Sequence, residues 1–101
     1  MAGYSTNIER DTLENEDFRR VLFTGKHTQL VLMTLKPGED IGQEIHDTVD
    51  QFIRVEAGTG EAILDGEKTA LGDGMIVVIP AGVEHYVINT SSSEPLRLYT
   101  L

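Results

Sequence analysis

Four residues in this chain have the types and spacing to converge on one cation: Glu44, His46, Gln51 and His85. Glu44 and His46 stand two positions apart, and a strand has a side-chain period of two, so both point to the same face. Gln51 opens an alternating run that places Gln51, Ile53 and Val55 on one face and Phe52, Arg54 and Glu56 on the other. His85 opens a second such run, to Asn89. Two imidazoles, one carboxylate and one amide oxygen make a mixed N/O donor set suited to Zn, Mn, Fe, Co or Ni. One carboxylate on a divalent ion leaves a site charge near about +1, enough to attract an oxygen-rich ligand and polarise it. Asp50 is the rival to Gln51 if the preceding loop is one residue shorter, although the period of two counted back from Ile53 favours Gln51.

Short strands must position these residues. The expected strands are Arg20–Thr24, Gln29–Leu35, Ile41–His46, Gln51–Glu56, Glu61–Leu64, Lys68–Leu71, Met75–Ile79, His85–Asn89 and Pro95–Leu101. They are separated by Gly25-Lys26, Pro37-Gly38, Asp47-Thr48, Gly58-Thr59-Gly60, Asp65-Gly66, Gly72-Asp73-Gly74 and Pro80-Ala81-Gly82, all strong turn chemistry. Asp65-Gly66 is the clearest hairpin signal, because both positions of the favoured two-residue loop need positive φ. No segment sustains a 3.6-residue period. Many short strands with regular turn signals predict an all-β sandwich or barrel. Residues 1–19 are polar and acidic and read as an N-terminal arm, with a strand or a helical turn around Asp11–Asp17; residues 20–101 form one barrel domain. The chain ends inside an apolar strand, which suggests an edge position or a chain cut short of a natural tail.

Composition narrows the function classes. The 101 residues suit one domain. Seventeen acidic against eight basic residues give a net charge of −9, which argues against nucleic acid as a partner, because phosphate binding needs a basic patch. The absence of cysteine excludes disulfides and thiolate metal sites and agrees with a cytoplasmic location. No apolar run approaches the ~18 residues that span a bilayer, and the first residues lack a signal-peptide pattern, so no membrane partner is expected.

The segment Gly74 to Asn89 resembles the second motif of the cupin family, G(X)5PXG(X)2H(X)3N, at every fixed position: Gly74, Pro80, Gly82, His85 and Asn89. The first motif, G(X)5HXH(X)3–4E(X)6G, is matched in spacing by Gly38, Glu44, His46, Gln51 and Gly58, with Glu44 at the first His position and Gln51 at the Glu position. The resemblance implies a small cupin jelly-roll β-barrel (double-stranded β-helix) of the compact mannose-6-phosphate-isomerase-like kind, forming a homodimer. It also implies a metal centre at Glu44, His46, Gln51 and His85. Asn89 is expected to cap the barrel turn, and Gly58, Gly74 and Gly82 to serve as turn residues. Val87, Ile53 and Val55 share the ligand face and are expected to make the cavity apolar, with His27 left on a solvent-exposed turn.

Three functions follow. The first is a metal-dependent enzyme of isomerase, lyase or dioxygenase type acting on a small oxygen-rich metabolite, with Glu44 and Gln51 in the chemistry and Glu44 able to serve as a base. The second is a module that binds a metal or small ligand without turnover. The third is a structural barrel with a vestigial site.

Overall fold

Alternation of apolar and polar residues builds two antiparallel sheets whose apolar faces meet. The computed structural model describes residues 3–101 and contains one helix, α1 (Ile8–Glu14), and eight strands. These are β1 (Arg20–Thr24), β2 (Gln29–Leu35), β3 (Gln51–Ala57), β4 (Gly60–Leu64), β5 (Glu67–Leu71), β6 (Ile76–Ile79), β7 (His85–Asn89) and β8 (Leu96–Thr100). One sheet has the order β1-β2-β8-β3-β6 and the other β5-β4-β7. Every pairing is antiparallel. Val31, Met33 and Leu35 of β2, Ile53 and Val55 of β3, and Leu96 and Leu98 of β8 meet Ala62, Leu71 and Val87 from the other sheet in one buried core. This is the two-sheet barrel expected from the pattern.

The β4–β5 hairpin has the predicted two-residue loop, with Asp65 at φ 47° and Gly66 at φ 83°. Asp65 also ties the hairpin to the segment before β7: its N–H donates to Glu84 O (2.8 Å) and its Oδ1 accepts from Glu84 N–H (2.9 Å). Gly58 joins β3 to β4 at φ 112°, where a Cβ would lie 2.5 Å from Pro95 O and 2.9 Å from Leu96 Cα. That backbone approach requires glycine.

Three details depart from the sequence expectation. Ile41–His46 is not a continuous strand; the stretch from Asp40 to His46 pairs with β7 through the isolated bridges Asp40–Ile88 and Glu44–His85. Asp40 Oδ1 accepts from Gly42 N–H (2.8 Å), and Gly42 turns to φ 49°, which takes the chain out of the ladder. Strand β8 is central, between β2 and β3, rather than at an edge. Within the N-terminal arm the helix lies at Ile8–Glu14, earlier than the expected turn. Asn7 starts it by accepting from Arg10 N–H (3.0 Å), as an N-cap residue does.

The helix packs against β2, β3 and β8, on the face opposite the core. Asn15 is buried there: its Nδ2 donates to Thr34 Oγ1 (2.9 Å) and to Asp17 O (2.8 Å), and Thr34 Oγ1 donates to Asn15 O (2.8 Å). Arg97 adds a hydrogen bond to Asn15 O and an ion pair with Glu16 (3.0 Å). No helix among the described residues is long and apolar enough to cross a membrane.

Candidate metal centre

The centre forms where the segment after Gly38 runs beside β7. Glu44 N–H donates to His85 O (2.9 Å) and His85 N–H donates to Glu44 O (2.8 Å), so the two residues are directly opposite. Directly opposite residues of an antiparallel pair project side chains to the same face. His46, two residues on, joins them. The distances follow: His46 Nε2 is 3.1 Å and His85 Nε2 3.8 Å from Glu44 Oε2, and the two imidazole centroids are 5.3 Å apart. One ligand atom from each of Glu44, His46 and His85 lies within 4.8 Å of the others, a group able to hold a metal ion.

The turn at Pro80–Gly82 is tied to the loop between His46 and Gln51. His46 O accepts from Gly82 N–H (2.8 Å) and Asp50 Oδ1 accepts from Ala81 N–H (2.8 Å). Asp50, the rival to Gln51, therefore has one oxygen engaged in bracing this turn. A side-chain bond from Gln43 to Glu84 adds a further tie between the two segments. Asn89 closes the other end of β7. Its Nδ2 donates to Leu35 O (3.0 Å) and Glu94 O (2.9 Å), and its Oδ1 accepts from Ser91 N–H (2.9 Å), the structural role expected of it.

Two buried polar atoms point to an additional ligand. His85 is 3% exposed, and its ring faces Val83 O through Nδ1 at 3.2 Å. That contact selects the tautomer with the proton on Nδ1 and leaves an Nε2 lone pair. His85 Nε2 is buried without a hydrogen-bond partner, and so is Gln51 Oε1. An unpaired buried polar atom costs about 1–3 kcal/mol, and a cation held by Glu44, His46 and His85 would relieve that at His85 Nε2. The donor set and the orphaned atoms fit a divalent metal. Gln51 begins β3, in the sheet opposite β7, and shares the inward face with Ile53 and Val55.

Glu44, His46 and Gln51 line a cavity of about 720 Å³, within the size range of small-metabolite sites. Its apolar wall is not the one expected. Val87, Ile53 and Val55 are sealed in the core; Val31, Met33, Ile41 and Val49 line the cavity instead. Arg19, which no sequence signal singled out, lines the cavity, and so does His27, from the exposed turn on which the sequence placed it. No local signal marks them, because the β1–β2 turn reaches the cavity only once the five-stranded sheet has formed. On the outer side of β7, burial and then the neighbouring Asp40 carboxylate hold the Tyr86 phenol above its ordinary value.

A Cupin domain family match spans residues 31–101 and includes all four candidate ligands. The chain is a cupin. Similar proteins include an uncharacterised protein of Acanthamoeba polyphaga mimivirus, 48% identical over 97% of this chain and 63% of its own length. The uncharacterised protein YrkC of Bacillus subtilis is 46% identical over 97% of this chain and 55% of its own. This cupin thus spans less than two thirds of the length of these two curated relatives. A crystal structure from Bacillus halodurans superimposes with a TM-score of 0.92 at 43% identity, covering 96% of this chain and 77% of that one. The cupin jelly-roll barrel is thereby established.

Proposed function

We propose that this cupin binds one divalent transition metal through Glu44, His46 and His85, with Gln51 as a neutral fourth donor, and acts on a small oxygen-rich metabolite. The observation that carries the reading is the convergence of three ligand atoms within 4.8 Å beside a buried, partnerless His85 Nε2. Side-chain exposures of 44% for Glu44 and 40% for His46, against 3% for His85, support a centre anchored in the barrel wall and open on its cavity side. A bound Zn, Mn, Fe, Co or Ni ion would supply Lewis acidity toward a carbonyl or hydroxyl oxygen. The chain's own contributions are separable from that. Val83 O holds His85 in one tautomer, Val31 and Met33 form part of the apolar wall, and Glu44 could alternatively leave the metal and take a proton from a ligand in the cavity. This chemistry belongs to an isomerase, lyase or dioxygenase.

The test is elemental analysis of the purified protein, followed by turnover assays of the loaded form on sugar phosphates, uronates, keto acids and diketones. About one equivalent of metal with turnover of one of these classes is expected. Less than a tenth of an equivalent after reconstitution would refute the metal reading. Full occupancy without turnover would favour a binding module.

A further inference from the structure

Two chemically different sets of residues line the cavity. Glu44 and His46 belong to one; Phe18, Arg19, His27 and Gln29 come from the segment entering β1 and from the β1–β2 hairpin. Three acidic residues, Asp40, Glu44 and Asp50, are among those that line the cavity, with the Asp40 carboxylate beside Tyr86 on the outer side of β7, and Arg19 is the one Arg or Lys among its lining residues. The acids have partners: Asp40 accepts from Gly42 N–H, Asp50 from Ala81 N–H, and Glu44 faces two imidazoles. Arg19 makes no ion pair among the described residues. Its Nη2 donates to Gln29 Oε1 (3.3 Å), and Gln29 Nε2 donates to Thr24 Oγ1 (3.0 Å). This relay restrains one nitrogen of the guanidinium and leaves its other donors without a protein partner among the described residues.

A chain of net charge −9 repels anions from most of its surface. Arg19 is an exposed residue lining this cavity, and the planar fork of its guanidinium matches two oxygens of a carboxylate or phosphate. We infer that the part of the cavity lined by Arg19 is an anion subsite. It takes the carboxylate or phosphate group of a ligand whose other, oxygen-rich end reaches Glu44, His46 and His85, with His27 beside it. The second half of this statement rests on the proposed metal centre; the anion subsite itself does not. The substrate class is accordingly a small hydroxy or oxo compound carrying one anionic group.

Titration of the full chain with succinate and, separately, with inorganic phosphate, followed by NMR and calorimetry, tests the assignment. Binding of at least one probe is expected, with the largest shifts at Arg19 Nε–H and the Gln29 side-chain amide. The preferred probe distinguishes a carboxylate from a phosphate ligand. Arg19→Gln should weaken binding by at least about tenfold, and Arg19→Lys by less. Arg20→Gln, adjacent in sequence but outside the cavity lining, should leave it unchanged. Metal content and melting temperature should be the same in all variants, which separates loss of the subsite from loss of the centre or of the fold. Binding of neither probe, equal binding by Arg19→Gln, or shifts centred away from Arg19 would overturn the inference. Arg19-dependent binding to a protein that holds no metal would remove the centre and leave the subsite standing.

Discussion

Glu44 lies directly opposite His85 because the chain between Asp40 and Glu44 carries one residue more than the strand it faces. Asp40 pairs with Ile88 and Glu44 with His85, four steps on one side against three on the other. A regular ladder from Asp40–Ile88 would have put Gln43 opposite His85 and turned Glu44 to the other face. The extra residue is accommodated at Gly42, with φ 49°, as a β-bulge accommodates it. Gly42→Val places a β-branched residue in the left-handed region and should destabilise the protein by about 1–2 kcal/mol. It should also lower metal affinity, read by denaturation and by metal titration of the same variant.

Loss of either imidazole should cost more than loss of a supporting contact. Second-shell changes at metal sites typically cost 10–100-fold in affinity, so His85→Gln and His46→Gln should each lose at least about a hundredfold. In the parent protein, chelation should lower the melting temperature, because a ligand that binds only the folded state stabilises it by mass action. Equal melting temperatures with and without chelator in a metal-loaded preparation would contradict this.

Gln51 offers a test in which two signs oppose. Its Oε1 is buried without a partner, and replacing such a group by an apolar one of similar shape removes a desolvation penalty. Gln51→Leu should raise the stability of the metal-free protein by about 1 kcal/mol and weaken metal binding. A metal-free stability that falls instead would mean that Gln51 packs as an ordinary satisfied side chain.

Gly58→Ala should be among the most damaging single-methyl changes in the barrel. The added Cβ would meet Pro95 O at 2.5 Å, on a backbone at φ 112°. The strain and the displaced β3–β4 connection should cost about 3 kcal/mol or more, measured by chemical denaturation. Gly3→Ala, which has nothing within 4 Å of its new Cβ, is the control.

Tyr86 sets an alkaline limit. Its pKa is raised in the folded protein, by burial first and by Asp40 second, so the folded state holds the phenolic proton more tightly than the unfolded chain. The contribution to stability is complete below the unfolded value of about 10 and declines as pH rises through the higher folded value. Tyr86→Phe should therefore lose less stability between about pH 9 and 11 than the parent protein.

Much of the barrel was legible because its signals are local. The Asp65-Gly66 loop, the alternation of Gln51 to Glu56 and the Gly74-to-Asn89 pattern each depend on residues a few positions apart, and each occupies its expected place. The same alternation placed Glu44 and His46 on one face and turned Gln51 inward with Ile53 and Val55. Local chemistry also marked the turn glycines, whose positive φ no side chain adopts freely.

Other features depend on distances that the chain crosses only when folded. The bulge at Gly42 has no sequence signature until Asp40 has found Ile88, yet it decides whether Glu44 or Gln43 faces His85. The position of β8 between β2 and β3 reflects closure of the sheet. Arg19 and His27 reach the cavity because β1 is carried there by β2. The amino-acid sequence by itself determined eight of the nine expected strands, the turns and the kinds of candidate ligand this cupin presents. Only the tertiary structure decided which of them meet, because a one-residue change of register turns a side chain to the opposite face.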